Sequence, residues 1–325
     1  LLLEPTPALR PGLEVERLPP LPSAAHTATK LLGQIVDGFG RPLTDDCPAE
    51  PLQLRAGYDA PAVRLAVSRP LPCGVAAVDA LLTLGRGQRV ALIGPGGVGK
   101  STLLSMLCRM SDAAHIIVAM VGERRREVDS FFSGLAAWGA RDRTIGIVAT
   151  ADAPAAQKIQ AAHLAHDLAV ELAVEGSDTL LLFDSLTRVC LAQRNLGIAL
   201  GEPPVAQGYP PSALSIIATL AERCGVLPGG GTVTALYTVL SETDDGDDAS
   251  ALHLRRDAVE SRHPALAAGE RLADVVEGDG GRGGTRRRGG LRQCGGGARH
   301  FDPFALIWAS SFARMPCTSE AELFT

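Results

Sequence analysis

The stretch Arg89-Val-Ala-Leu-Ile-Gly94-Pro-Gly-Gly-Val-Gly99-Lys100-Ser101 decides the fold of this 325-residue chain. It opens with an apolar run typical of a buried strand and leads into residues 100–110, whose apolar spacing predicts a helix. A Gly-x-x-x-x-Gly-Lys-Ser pattern between a strand and a helix predicts a phosphate-binding loop. Its glycines allow backbone amides to turn toward phosphate oxygens, and the helix N-terminus adds its positive end. The alternative is a glycine-rich turn with a chance lysine, which would explain neither flanking element.

This loop supplies most of the candidate ligands of a polyphosphate. They are Gly94, Gly96, Gly97, Val98, Gly99, Lys100, Ser101 and Thr102. The Lys100 ammonium would neutralise the β- and γ-phosphates, and the Ser101 hydroxyl would bind Mg²⁺.

A second candidate for the metal is Asp184, which ends the apolar run Leu180–Phe183. An apolar strand that ends in a carboxylate is the pattern of a Walker-B aspartate, which binds Mg²⁺. The alternative is an acidic residue that only caps a buried strand. A position downstream of a phosphate-binding loop favours the metal role.

Hydrolysis also needs a carboxylate or base that orients the attacking water. Glu123 is the candidate, because it follows the predicted strand His115–Gly122 at the edge where ligands bind in open α/β sheets. An acid in the first turn of the next helix is an equally good interpretation, since the helix dipole favours one there. The residues alone leave both interpretations open.

Apolar runs alternate with helical patterns after Arg89, which predicts a doubly wound α/β core with a mostly parallel sheet. Strands are predicted at Arg89–Gly94, His115–Gly122, Thr144–Thr150, Thr179–Asp184 and Thr232–Leu240. Helices are predicted at Lys100–Met110, Arg126–Trp138, Ala155–Val174, Leu186–Leu200 and Ala213–Arg223.

The flanking regions have different compositions. Residues 1–27 are rich in Leu and Pro and are predicted to be irregular, Leu31–Val36 is predicted to be a strand, and residues 46–75 are interpreted as a proline-rich linker. The run Asp279–Gly297 has neither helical nor strand periodicity, so 249–325 is predicted to be an irregular, disordered region. A nucleic-acid-binding tail is disfavoured because this run lacks aromatic residues that stack on bases.

Composition predicts a globular protein of the cytoplasm. A net charge of −5 argues against electrostatic binding of nucleic acid or of anionic membranes. No apolar run approaches the roughly 20 residues that span a bilayer. The seven cysteines form no C-x-x-C pair, which favours a reducing compartment over a disulfide framework or zinc site.

Five stretches of the chain resemble the type III secretion and flagellar export ATPases, which are relatives of the rotary ATP synthase α and β subunits. They are residues 31–43, 70–104, 120–128, 180–212 and 235–248, and the GEPP…GYPPS segment within 180–212 is the most diagnostic. The resemblance implies a RecA/ATP-synthase-like P-loop NTPase core at 76–248. It also implies a partial remnant of an N-terminal β-barrel at 1–45.

The resemblance also implies roles for individual residues. Glu123 matches the catalytic carboxylate of the family's Gly-Glu-Arg element, followed by Arg124, and Glu127 matches an acid that orients its neighbours. Arg188 matches an arginine that approaches the terminal phosphate from the same subunit, as a fixed guanidinium suits. The implied cofactors are ATP and Mg²⁺, and the implied reaction is ATP hydrolysis that energises protein export.

The family further implies partners and a place in the cell. It forms homohexamers with ATP at the subunit boundary, where the next protomer supplies an arginine finger. The implied partners are the export apparatus, stator or stalk proteins and chaperone–substrate complexes, and no nucleic acid. The expected location is cytoplasmic, peripheral to the inner membrane at the export gate, in either an injectisome or a flagellar system.

The sequence departs from the family at three places, one of which is the N-terminal barrel, whose recognisable sequence begins only near its end. Arg125 stands where the secretion ATPases usually have glycine, and after Asp248 neither the finger arginine nor the adenine-contacting aromatic is recognisable. We hypothesise that 249–325 derive from a shifted reading frame, and we expect nucleotide binding with slow turnover by the isolated chain.

Two other functions stay open at the level of the sequence. One is a catalytically inactive nucleotide-binding remnant or structural subunit. The other is a Rho-like RNA-dependent ATPase, which would need an aromatic-rich RNA-binding domain before the loop. Residues 1–88 contain only Phe39 and Tyr58 as aromatic side chains.

Overall fold

A computed structural model of the chain describes residues 28–43, 64–205 and 208–240, together with the backbone of 307–310. In this part of the chain, eight strands form one sheet. Each face of the sheet carries its own cluster of buried side chains and its own helices. The result is a three-layer α/β arrangement, as expected for short apolar strands that alternate with amphipathic helices.

The strand order in the sheet is β1-β4-β3-β5-β7-β2-β8, with β6 beside β7. The pairs formed by β6 and β8 are antiparallel, and the other pairs are parallel. The strands are β1 (Ile35–Asp37), β2 (Arg89–Gly94), β3 (His115–Glu123), β4 (Thr144–Thr150), β5 (Asp178–Asp184), β6 (Gly225–Val226), β7 (Thr232–Leu240) and β8 (Ile307–Ser310).

Six α-helices connect or follow these strands in the described ranges. They are α1 (Ala76–Leu81), α2 (Lys100–Met110), α3 (Arg125–Ala137), α4 (Ala155–Val174), α5 (Leu186–Ala199) and α6 (Pro211–Glu222). Helices α4, α5 and α6 cover one face of the sheet, and α2 and α3 cover the other. None of the described helices has both the length and the apolar character needed to cross a membrane.

The parallel pairing brings the candidate residues to one edge. Strands β2, β3 and β5 all run in the same direction, so their carboxyl ends lie at the same side of the sheet. The glycine-rich loop follows β2, Glu123 ends β3 and Asp184 ends β5. Ligands of open α/β sheets bind at this edge.

The predicted α/β core is confirmed. Each of the five strands and five helices predicted after Arg89 is present with bounds within about two residues of the prediction, the usual uncertainty of helix and strand ends. Helix α6 begins earlier than predicted because Pro211 takes the first helical position, where a missing N–H costs no hydrogen bond. Helix α1 and strand β6 were not predicted.

One prediction for the region before the linker is corrected. The predicted strand Leu31–Val36 is mostly absent, because a 3₁₀ turn at Thr29–Leu31 and a positive φ at Gly33 delay the strand until Ile35. Strand β1 then pairs with β4, so Ile35–Asp37 form the edge strand of the central sheet. The barrel remnant expected at 1–45 stays a prediction, because residues 1–27 lie outside the described residues.

The predicted linker and C-terminal region also differ where they are described. Within the predicted linker, Leu71 and Cys73 are buried against the sheet, so 64–75 pack with the core. Residues 307–310, predicted to be irregular, form strand β8 beside β2. The run Asp279–Gly297, residues 1–27 and the first part of the linker lie outside the described residues.

Candidate functional site

The loop after β2 has an open inner surface. Gly97 and Gly99 have φ angles of +81° and +96°, which side chains rarely adopt, and Gly99 is the N-cap of α2. A Cβ added at Gly96, Gly97 or Gly99 would meet no heavy atom within 4 Å. The loop therefore leaves the space and the backbone conformation that a polyphosphate cradle requires.

Lys100 points back into this loop. Its ammonium donates hydrogen bonds to the carbonyl oxygens of Gly94 (2.6 Å) and Pro95 (2.5 Å), and the residue is buried. Burial lowers the pKa of Lys100, and the negative charges of Asp184 and Glu123 oppose this shift. The ammonium thus lies between the loop and both candidate carboxylates.

Asp184 is nearly enclosed at the end of β5, with 6% of its surface exposed. Its Oδ1 accepts a hydrogen bond of 2.5 Å from the Thr238 hydroxyl, and the nearby Ser101 side chain helps to keep the pKa of Asp184 from rising further. Burial raises the pKa of Asp184, while the Thr238 hydrogen bond and the positive charge of Lys100 oppose the rise. The two candidate metal ligands, Ser101 and Asp184, therefore lie near each other.

Glu123 ends β3 close to these groups. Burial is the main cause that raises its pKa to about 7, followed by the charge of Asp184 and a hydrogen bond with Glu127, while Arg188 opposes the rise. The pKa of Glu123 therefore lies in the range where this carboxyl changes its charge near neutral pH.

Arg188 reaches the same edge from the other layer. It is the third residue of α5, and the methylene groups of its side chain lie against the backbone of Gly122. Its charge acts on Glu123. The guanidinium of Arg188 therefore belongs to the same group of charges as Lys100, Asp184 and Glu123.

Other predicted residues lie around this group without joining it. Arg124 is exposed at the N-cap of α3 and, among the described residues, makes no hydrogen bond or ion pair with the carboxylates. Val98 and Thr102 are exposed on the loop and on the first turn of α2. Arg125 is the first residue of α3, so its backbone is helical and accommodates a side chain in place of glycine.

Two residues of the site were missed by sequence reasoning. Thr238, in the apolar strand β7, has the pattern of an ordinary strand residue, so nothing local indicated its contact with Asp184. Gly122 gave a usable signal, since a glycine directly before a candidate catalytic acid indicates a special φ angle or a close contact.

Residues 74–258 match the profile of the ATP synthase alpha/beta family, nucleotide-binding domain. The chain belongs to this family. The match covers β2 through β7 and hence the loop, Glu123 and Asp184.

The chain is similar to proteins called flagellum-specific ATP synthase and type 3 secretion system ATPase. It is 43% identical over 251 residues to the flagellum-specific ATP synthase of Salmonella typhimurium, covering 75% of this chain and 54% of that one. It is 42% identical over 229 residues to the SPI-2 type 3 secretion system ATPase of the same organism, covering 69% of this chain and 52% of that one. The chain thus spans about half the length of these relatives.

Solved structures show the same fold. A prototypical ATPase from the type III secretion system of pathogenic bacteria superposes with a TM-score of 0.66 at 38% identity, over 72% of this chain and 68% of that chain. The assembled ATPase EscN from the type III secretion system of enteropathogenic E. coli gives a TM-score of 0.64 at 40% identity, over 70% and 55%. The resemblance inferred from the sequence is therefore confirmed at the level of the family and its fold.

Proposed function

We propose that the chain binds Mg-ATP at the loop after β2 and hydrolyses it, and that hydrolysis energises type III protein export. The observation that carries this proposal is the convergence of Lys100, Asp184 and Glu123 at one edge of the sheet. Names of the relatives support the export role, because they include flagellar and type 3 secretion ATPases.

Binding is assigned to the loop and to the first turn of α2. The amides of residues 96–99 and the ammonium of Lys100 hold the polyphosphate, with Gly94 and Thr102 at the two ends of the cradle. Ser101 and Asp184 lie near each other and together are the residues that would hold Mg²⁺. When bound, this ion neutralises charge on the phosphate oxygens.

Hydrolysis is assigned to Glu123. In its ionised form the carboxylate accepts a hydrogen bond from the attacking water and orients it toward the terminal phosphorus. Glu127 lies beside Glu123 and is proposed to orient this carboxylate. Arg188 contributes a guanidinium that stabilises negative charge on the terminal phosphate, and Arg124 is a further candidate for this role.

The proposed domain organisation keeps the ATPase unit at 76–248. The residues 64–75 are added to it because they pack against its sheet. Residues 249–325 are proposed as a region that diverges from the family.

The proposed assembly is a homohexamer. Support comes from the structure of assembled EscN, to which the chain is similar. We place the ring in the cytoplasm at the inner-membrane base of an export apparatus, with stalk proteins and chaperone–substrate complexes as partners. Injectisome and flagellar systems are both represented among the relatives.

Nucleotide binding and hydrolysis by the purified chain test the enzymatic part of the proposal. Lys100→Ala should weaken Mg-ATP binding by about tenfold or more, because it removes a charge-assisted contact to phosphate. Lys30→Ala is the matched control, since Lys30 is exposed on the 3₁₀ turn before β1. Equal affinities of the two variants would contradict the assigned loop.

Deletion of the gene in its source organism tests the export role. Secretion of exported proteins should stop, and the wild-type gene should restore it while the Lys100→Ala gene should not. Undisturbed secretion after deletion would contradict the export role, but it would not contradict the proposed nucleotide binding.

A further inference from the structure

The contact between Thr238 and Asp184 joins two strands that are far apart in sequence. Thr238 lies near the end of β7 and is completely buried, and its hydroxyl is 2.5 Å from Oδ1 of Asp184. The same hydroxyl is 3.4 Å from the carbonyl oxygen of Phe183. A threonine hydroxyl has a single proton, so the much shorter contact shows that Asp184 receives it.

Strand pairing and a second hydrogen bond hold Thr238 beside Asp184. Strands β5 and β7 are parallel neighbours in which Phe183 stands opposite Tyr237, so the next residues, Asp184 and Thr238, are adjacent. Beyond Thr238, the amide of Leu240 donates a 3.0 Å hydrogen bond to the Thr187 hydroxyl at the start of α5. The hydroxyl of Thr238 therefore has little freedom to leave the carboxylate.

On the opposite face of β7, the side chain of Tyr237 is hydrogen-bonded to helix α4. Its hydroxyl is 2.9 Å from Nε2 of His166 on α4, and the Nδ1 of His166 is 2.7 Å from the carbonyl oxygen of Ala162. Because a carbonyl only accepts, Nδ1 carries the proton, and Tyr237 donates to Nε2. One strand is thus tied to α4 by Tyr237 and to Asp184 by Thr238, with successive side chains on opposite faces.

We propose that Thr238 is a positioning residue, whose hydroxyl holds one oxygen of Asp184 and fixes the orientation in which this carboxylate and Ser101 receive the Mg²⁺ of the nucleotide. The inference rests on the proposed function. Hydrogen bonds to a ligating carboxylate orient it, and their loss commonly weakens metal binding. A purely structural threonine would instead contribute only to the stability of the sheet.

Two substitutions at Thr238 separate these roles. Thr238→Val keeps the shape of the side chain and removes the donor, whereas Thr238→Ser keeps the donor. The matched control is Thr234→Val, because Thr234 is also buried on β7 but accepts its hydrogen bond from the Gly87 amide, away from Asp184. Thermal unfolding of each variant shows whether it is folded, and Thr238→Ala replaces Thr238→Val if the latter is not.

The readout is the affinity for a fluorescent ADP analogue, measured in EDTA and during titration with Mg²⁺. Thr238→Val should raise the Mg²⁺ concentration at half-saturation about 10- to 100-fold and change the affinity in EDTA by less than about twofold. Thr238→Ser should restore the Mg²⁺ dependence to within about threefold of wild type, and Thr234→Val should leave it unchanged.

The outcomes are distinguishable. If Thr238→Val shifts the Mg²⁺ titration no more than Thr234→Val does, Thr238 is structural and the inference is wrong while the proposed function stands. If wild type binds no nucleotide in either condition, the proposed function is wrong and the inference with it.

Discussion

The side chain of Arg188 lies so close to Gly122 that a Cβ at residue 122 would stand 2.7 Å from both Cβ and Cγ of Arg188. Gly122 also has a φ of +79°, which other residues rarely adopt. The residue before Glu123 therefore serves two purposes. It turns the chain at the end of β3 and it leaves room for the arginine from α5 to reach the carboxylates.

The first prediction concerns Gly122→Ala. The strained φ should lower the free energy of unfolding by about 1–2 kcal/mol, and displacement of Arg188 should lower ATP turnover by at least about tenfold. Thermal unfolding and steady-state hydrolysis measure the two effects separately.

Gly139→Ala is the control for backbone strain. Gly139 has a φ of +67°, but a Cβ there would meet no heavy atom within 4 Å. The Gly139→Ala variant should lose about as much unfolding free energy as Gly122→Ala, but its ATP turnover should stay at the wild-type level. A loss of turnover that is equal in both variants would show that strain, and not the position of Arg188, is responsible.

The second prediction concerns the pH dependence of hydrolysis. The pKa of Glu123 is raised to about 7, chiefly by burial and by the charge of Asp184. Only the ionised carboxylate can orient water as proposed, so kcat/KM should rise with pH through about 7 and level off above it. A kcat/KM that is flat between about pH 6 and about pH 8 would contradict the assignment.

The same shift predicts a change in stability. An acid whose pKa is higher in the folded state binds more protons there between pH 4.5 and about 7, so its contribution to stability falls as pH rises through this window. Glu123→Gln should therefore be more stable than wild type at pH 8, by about 1 kcal/mol after allowance for solvent screening. The difference should vanish near pH 5, and an equal difference at both pH values would be inconsistent with the raised pKa.

The third prediction concerns His166, whose pKa is lowered to about 3, chiefly by complete burial. Between this value and 6.5 the unfolded state binds the extra proton, so the contribution of His166 to stability is present above pH 6.5 and is lost as pH falls. From about pH 7.5 to about pH 5, wild type should lose about 2 kcal/mol more unfolding free energy than His166→Gln.

His115→Gln is the control for His166. His115 is only partly buried, and burial lowers its pKa. Denaturant unfolding at the two pH values should give a smaller difference for this variant. Equal differences for the two histidines would show that the enclosed position of His166 is not the cause.

The sequence predicted those parts of the site that depend on neighbouring residues. The loop was singled out because its glycines, lysine and serine stand within one short stretch, and the strand and helix predicted on either side of it are present. Asp184 was singled out because it ends an apolar run, and it does end β5. Glu123 was ambiguous by itself, since the end of a strand and the start of a helix coincide there, and only the resemblance to a family favoured catalysis.

Contacts between distant segments could not be predicted. Thr238 and Asp184 are 54 residues apart, and their contact depends on β7 lying beside β5, which no local pattern reveals. Strand β1 joined the sheet beside β4 for a similar reason. Helix α1 was not predicted because its six residues are too few to show a helical period. In the structure, the Asp79 carboxylate accepts hydrogen bonds from the amides of Cys73 and Gly74, which precede the helix.

Single-turnover hydrolysis of Mg-ATP by wild type and Glu123→Gln, with both proteins saturated with nucleotide, tests most directly whether Glu123 acts on the attacking water. The two proteins should bind Mg-ATP with similar affinity, and the variant should hydrolyse it about 10²- to 10⁴-fold more slowly. Equal rates at equal occupancy would contradict the catalytic role of Glu123 and leave only a nucleotide-binding domain.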